Sequence, residues 1–525
     1  MSINFNLLWK VSPGLLGIAI ASTATAHELP GRSPQTLAQV TSVSQLSDVQ
    51  PTDWAFQALQ SLVERYGCIA GYPDGTYRGN RALTRYEFAA GLNACLDQVL
   101  ALPIGDDGTG SEDLATIRRL QEEFAAELAT LRGRVDALEA RTSELEANQF
   151  STTTKLEGQA LFAVYGVAAG ERDGGEKIDQ VPAFGDRVRL ELNTSFTGDD
   201  LLFTRLQASN INAFDTTGTL EGDLFFADDN GNNIELDALK YEFPVGERLN
   251  VAVIANAEAS DDFVPTINPF LDGDGNTGSL SRFGTRASVY YLIDGQAGAG
   301  FTYAFSDKVS LSAGYSASDA GNPAQKAGLF NGAYGAIAQL NLTPIEGLEV
   351  GLTYINAYNQ EMGTGSDLSN FASFSEDRFG AAIPIVQNAY GIELSWAFAE
   401  KVALGGWVGY TDTKTLSTLG GTVDRGDMET WNWAASLAFP DVGTTGSLAG
   451  ILVGMEPRTR GISSALRRSI GGADTETSLH IEGFYQFQVS DNISITPAII
   501  AITNPGFNDD NDTLVIGAVR TLFEF

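Results

Sequence analysis

Histidine is almost absent: 525 residues contain His27 and His480 alone. His-based metal centres and Ser/His/Asp catalysis therefore lack the residue they depend on. Positive charge is also short, with 32 Lys and Arg against 66 Asp and Glu, a net of −34. That balance argues against nucleic acid as a partner, because phosphate binding needs a basic surface, and favours cations near the surface. Long apolar runs are missing too. Beyond the first 30 residues no stretch of about 18 apolar residues occurs, so a polytopic helical membrane protein is excluded and any spanning structure must be built from strands. Methionine (4) and cysteine (2) are scarce, while glycine (57) and aromatics (10%) are plentiful, which suits a β-barrel better than a cytosolic enzyme. No phosphate-cradling glycine loop and no coupled nucleophile and base stand out, so neither a cofactor nor an enzyme activity is expected. A large soluble β protein is the competing class.

The N-terminus carries Lys10, an apolar run from Val11 to Ile20 and small residues ending Ala24-Thr25-Ala26. This pattern predicts a secretory signal over residues 1–26, cleaved after Ala26. Export places Cys68 and Cys95 in an oxidising compartment, where pairing is allowed.

Residues 46–100 read as a compact helical unit. Thr52 and Asp53 can cap a helix bearing Trp54, Phe56, Leu59, Leu62 and Val63. Pro73-Asp74-Gly75 has turn chemistry, and Thr84 with Glu87 has the spacing of a capping box. The two cysteines lie near the ends of the two helices. A disulfide there would stabilise so small a unit by roughly 3 kcal/mol in the chain-entropy model; two buried thiols are the alternative.

From Leu114 to Leu145, through Ile117, Phe124, Leu128, Leu131, Val135 and Leu138, mostly apolar residues recur in steps of three and four. This predicts a coiled coil over 112–147, rising about 1.5 Å per residue to roughly 45 to 50 Å. A single amphipathic helix packed on the following domain is the other reading.

From 151 to 525 the chain turns to strands. Arg187 to Phe196 places Val188, Leu190, Leu192 and Phe196 on one face and Arg187, Arg189, Glu191 and Asn193 on the other. Ala389 to Phe398 sets Tyr390, Ile392, Leu394, Trp396 and Phe398 against Glu393 and Ser395, and Leu514 to Phe525 alternates likewise. One apolar and one polar face suit a lipid-facing wall around a wet lumen. Seven short connections, such as Ser306-Asp307-Lys308 and Ser490-Asp491-Asn492, separate long polar stretches. Seven short turns join fourteen strands, and a first and last strand make sixteen: an antiparallel transmembrane β-barrel. Arg286 to Ile293 also alternates and would make a seventeenth. It is read as part of the long third loop folded into the lumen, with a wall strand as the competing assignment.

Candidate pore-lining residues are Arg187, Arg189, Glu191, Arg458 and Arg460; for the last two, which cluster with Arg467 and Arg468, a solvated outer loop is the competing reading. The run Asp272-Gly273-Asp274-Gly275-Asn276 has calcium-loop chemistry, but Thr277 and Phe283 stand at the sixth and twelfth positions, which rejects an EF-hand.

Asp48-Val49, Trp54-Ala55, Gly71-Tyr72-Pro73-Asp74-Gly75-Thr76-Tyr77 and Thr84-Arg85-Tyr86-Glu87-Phe88 resemble one S-layer homology (SLH) domain. The resemblance implies binding of peptidoglycan-linked polysaccharide, with Trp54, Gly71, Asp74, Gly75 and Arg85 as glycan-binding candidates. Tyr86 replaces the small residue usual in that motif. The order of SLH unit, coiled coil and barrel is similar to the major outer-membrane porins of cyanobacteria, whose barrels belong with the OprB-type carbohydrate-selective porins. That similarity implies a mainly β, sixteen-stranded, homotrimeric porin in outer-membrane lipid, with the SLH domain and coiled coil in the periplasm. Relatives are described as iron-uptake porins, and sugar passage is implied by the family name. The expected function is passive diffusion of small hydrophilic solutes and inorganic ions. A mainly structural tether between outer membrane and wall is the alternative, and an SLH-anchored surface enzyme a third.

Overall fold

The computed structural model describes residues 41–52, 56–68, 76–77, 95 and 153–525, apart from 173–175, 213–216, 257–259, 294 and 296. The signal segment, the coiled coil over 112–147, and Trp54, Gly71, Asp74, Gly75 and Arg85 lie outside the described residues. Two units form. In the first, a short turn at Val43–Gln45 and helix α1 (Phe56–Gln60), continued by a wider turn through Ser61–Arg65, enclose Val43, Leu46, Leu59 and Val63. Cys68 and Cys95 are joined by a disulfide.

The second unit is a closed antiparallel barrel of sixteen wall strands. They are β1 (Thr154–Ala169), β2 (Ala183–Thr194), β3 (Leu201–Ile211), β4 (Glu235–Val245), β5 (Leu249–Asn256), β6 (Ala297–Ser306), β7 (Val309–Ala317) and β8 (Tyr334–Leu342). The circuit continues with β9 (Leu348–Tyr358), β10 (Ile385–Ala399), β11 (Val402–Thr415), β12 (Asp427–Pro440), β13 (Leu448–Ile462), β14 (Leu479–Ser490), β15 (Ile493–Thr503) and β16 (Leu514–Glu524). Closure is direct: β1 pairs with β16 in the register Gln159↔Glu524 to Gly166↔Gly517, and with β2 on its other side. A wall closed in this way leaves no unpaired strand edge in hydrocarbon, where an unmet amide costs several kcal/mol.

Side-chain alternation sorts the two faces. Phe184, Ile392 and Ile499 stand outward, 68%, 58% and 63% exposed, whereas Ser312, Gln339, Gln387 and Glu393 point inward and are buried. Outward aromatics gather near both rims. Tyr354, Tyr390, Tyr410 and Trp431 form one chain of ring contacts towards the long loops. Phe196, Tyr241 and Phe243, and Trp396 with Phe398, do so towards the short turns. Two such belts mark the two membrane interfaces.

The seven short turns lie on one rim and eight longer loops on the other, as the sequence predicted. The turns are held by local chemistry. In the first, Asp200 Oδ1 accepts from the amides of Phe196 (2.9 Å) and Thr197 (2.7 Å), while Oδ2 accepts from the Tyr241 hydroxyl (2.8 Å). In the fourth, Gly347 has φ +74°, and a Cβ there would lie 2.7 Å from the Ala397 carbonyl oxygen, so glycine is required.

Candidate functional site in the barrel lumen

The third long loop, between β5 and β6, enters the barrel. Its described part contains a turn at Ser260–Asp262, a small ribbon pairing Asp272–Gly273 with Thr277–Gly278, helix α2 (Arg282–Thr285) and a 3-10 helix at Ser288–Ile293. Ser281 caps α2, its Oγ accepting from the Gly284 amide at 2.9 Å. Every residue from Ser288 to Ile293 is buried, and this 3-10 helix touches β8, β9, β10 and β11. The alternating segment is therefore not a seventeenth wall strand. A wall strand gives one face to lipid, whereas here the barrel lining covers one side and the rest of the loop the other.

Apolar contacts and a set of inward polar residues fix the loop. Phe283 packs edge-on against Trp407, with ring centroids 5.6 Å apart. Tyr290 donates to Gln339 Oε1 (2.8 Å), and Gln339 Nε2 donates to the Pro265 carbonyl (2.6 Å). From β14, Glu482 accepts from Ser279 Oγ (2.7 Å), the Leu280 amide (2.6 Å) and Ser281 Oγ (2.5 Å). From β16, Arg520 donates to the carbonyls of Gly275 (3.0 Å) and Gly278 (2.9 Å).

His480, fully buried, joins this anchorage: Nδ1 lies 2.7 Å from Glu456 Oε1, and Nε2 3.8 Å from Glu482 Oε2. Glu456 also accepts from the Gly222 amide of the second loop (3.3 Å) and from Thr364 Oγ1 and the Gly365 amide (3.1 Å) of the fifth. Glu221 on the second loop accepts from the Gly506 amide of the eighth at 2.6 Å. Burial, reinforced by Glu456, pushes the Glu221 carboxyl up to about 8.

Beside the third loop lies a cavity of about 240 Å³, lined by Arg187 from β2, Arg205 from β3, and Asp274, Arg282, Arg286 and Tyr291 from the loop, among others. Arg189 donates to Asp274 (2.6 Å), and Arg205 binds both Asp274 (2.9 Å) and Asp237. Arg187 donates to Asn276 at 2.7 Å. Arg286 reaches Asp261 (2.6 Å) and Asp272 (2.8 Å) and lies over the Phe225 ring. The three side chains with calcium-loop spacing, Asp272, Asp274 and Asn276, thus each hold arginine. Burial opposes charge on Asp274, but Arg189, Arg205, Arg286 and Arg187 outweigh it and keep the carboxyl well below the usual range. For Asp272 burial prevails over Arg286, and the carboxyl is raised.

The structure thus brings Arg187 and Arg189 together in the lumen, with Glu191 on the same inward face and in register with Arg205. Arg458 and Arg460 do not join them. Thr459 points inward and meets Thr430, so its neighbours turn outward; Arg458 donates to Thr477 Oγ1 (2.7 Å) and to two carbonyls of the seventh loop, and Arg460 is exposed. Sequence reading missed Arg205, Arg282 and Arg286. Arg205 carried a signal, since it stands two residues from Gln207 and four from Ser209 on one inward face; the loop arginines follow no period.

The model of the carbohydrate-selective porin OprB family matches residues 111–525, and that of the S-layer homology domain matches residues 45–89. An uncharacterized protein of Nostoc sp. is 46% identical over 519 residues, covering 93% of this chain and 86% of the other. The outer membrane protein SlpA of Deinococcus radiodurans is 37% identical over 164 residues, 31% of this chain and 12% of that one. Among solved structures, Pseudomonas putida OprB superposes with a TM-score of 0.51 at 13% identity, covering 73% of this chain and 96% of that one, which shows a shared fold. With a closed sixteen-stranded wall, an inserted third loop and a family match over most of its length, the chain belongs to the OprB family of outer-membrane porins and carries an SLH domain ahead of its barrel.

Proposed function

We propose that each barrel conducts small hydrophilic solutes and inorganic ions by passive diffusion, with the third loop setting the width and charge of the path. The observation that carries this reading is the loop itself, fastened across the lumen by Glu482, Arg520 and Gln339 and bordering a charged cavity of about 240 Å³. No covalent step is involved; selection comes from lining charge and diameter. The family name supports sugars among the solutes, and iron species are a second class. Purified protein in planar bilayers should give stepwise, ion-conducting openings, and proteoliposomes should swell in isotonic monosaccharide. A sealed bilayer at micromolar protein would remove the proposal.

A tethering role in the same molecule is supported by the SLH match over residues 45–89. Trp54 and Arg85 would contact an anionic wall polysaccharide, with Gly71, Asp74 and Gly75 shaping the loop beside them. If three chains associate through residues 112–147, three SLH units would act together, and avidity would offset weak single-site affinity. Deleting residues 46–100 should abolish co-sedimentation with peptidoglycan sacculi while conductance persists. Lost conductance with retained sedimentation would reverse the assignment, and cross-linking that stops at one chain would remove the trimer.

A further inference from the structure

Consecutive residues of the second loop, Glu221, Gly222 and Asp223, grip different parts of the lumen. Glu221 Oε2 accepts from the Gly506 amide of the eighth loop at 2.6 Å, and the Gly222 amide donates to Glu456 on β13 at 3.3 Å. The Asp223 carbonyl accepts from the Arg282 amide of the third loop at 2.7 Å. Just beyond, Leu224 bridges to Ser281, and the Phe225 amide donates to the Leu280 carbonyl at 2.9 Å. The second loop thus pairs, backbone to backbone, with the segment that enters the lumen. Its seat is tight: Gly222 has φ +79°, and a Cβ there would lie 2.7 and 2.8 Å from the Cδ1 methyls of Ile502 and Ile516.

Glu221 is the conditional part of this grip. It is fully buried, and its Oε1 has no hydrogen-bond partner among the described residues. The titratable groups facing it are Glu456 from β13 and His480 from β14. A buried carboxylate beside a second carboxylate is costly, whereas a carboxyl that keeps its proton is neutral and can donate from Oε1. Burial and Glu456 therefore hold the proton on Glu221 while the loop is seated; once the loop lifts into water, nothing does. We propose that Glu221 is a proton-dependent latch. Protonated, it seats the second loop against the wall and the eighth loop and so steadies the third loop across the lumen; deprotonated, it releases the second loop, and the path widens.

The inference rests on the porin reading, and the test separates the two. The seated carboxyl is pushed up to about 8 and the released one returns to the ordinary carboxylate range. The released population should therefore climb about tenfold per pH unit between about pH 5.5 and 7.5 and level off above about 8. The full chain in planar bilayers, at equal pH on both sides, should show steps of higher conductance becoming more frequent by that factor. Glu221→Gln, neutral at every pH and of the same shape, should remove the slope, and Glu400→Gln, on an exposed turn, should keep it. Infrared difference spectra between wild type and Glu221→Gln should show a protonated carboxyl band at pH 7 that fades above pH 8. Should Glu221→Gln fail to assemble, wild-type spectra and wild-type currents over the same pH range carry the test. A slope shared by Glu221→Gln, a pH-independent wild type, or no carboxyl band at pH 7 overturns the latch while the porin survives. Absence of conductance at every pH sinks the porin reading instead, and the infrared titration still judges the latch.

Discussion

Glu482→Gln is the sharpest test of how the third loop is held. The carboxylate accepts three short hydrogen bonds from the loop, from Ser279 Oγ, the Leu280 amide and Ser281 Oγ, at 2.7, 2.6 and 2.5 Å. The variant keeps the shape of the side chain but not its charge. Charge-assisted bonds exceed neutral ones by roughly 1 kcal/mol each, so the loop should lose about 3 kcal/mol of anchorage. At about 1.4 kcal/mol per tenfold, its detached population should rise on the order of a hundredfold. Arg520 and Gln339 still grip neighbouring segments, so the barrel should assemble normally. Single-channel recordings should show larger open-state current fluctuations and brief steps of higher conductance, while heat-modifiable gel mobility stays that of wild type. Glu400→Gln, on an exposed turn, serves as the control. Current noise identical to wild type would show that the Glu482 charge does not hold the loop, and the reasoning would fail.

The Glu221 carboxyl, raised to about 8 by burial, holds in the folded state a proton that it releases when unfolded. Its contribution is therefore full below the ordinary carboxylate range and is lost as pH climbs towards 8. Thermal unfolding should show wild type losing stability from pH 5.5 to 8.5, and Glu221→Gln should lose less; parallel slopes would refute this. Ile499→Arg places a charge at mid-strand on the lipid face, 63% exposed in the isolated barrel, and should cost about 2 to 4 kcal/mol in folding titrations into bilayers. No loss would mean that this face does not meet acyl chains. Cys68→Ser opens a link between residues 27 apart and should lower the stability of the N-terminal unit by about 3 to 4 kcal/mol, seen by calorimetry, with conductance unchanged.

The wall was legible because its physics is local and repetitive. A period of two, with Val188 and Leu190 out and Arg187 and Arg189 in, is written into each strand, and glycine- and aspartate-rich turns punctuate the strands. The loop in the lumen was half legible. Arg286 to Ile293 alternates as a wall strand would, and only the even strand count required of such barrels moved it inside. The constriction's charges were mostly hidden, since Arg282 and Arg286 meet Arg187 and Arg189 across about 95 residues of chain with no shared period. Arg458 and Arg460 were singled out by clustering of charge, which carries no information on the face a side chain takes; β13 has register shifts against β12 beside them, and Arg458 pairs with the outward Trp431.

The seam between β1 and β16 has a consequence for biogenesis. The segment Leu514–Glu524 hydrogen-bonds to neighbours on both flanks, one of them more than 300 residues earlier in the chain. Until that last ribbon arrives, the polypeptide offers two raw margins to any other extended chain in the periplasm. A truncation at residue 513 should therefore strand the product as aggregate, not leave a leaky pore.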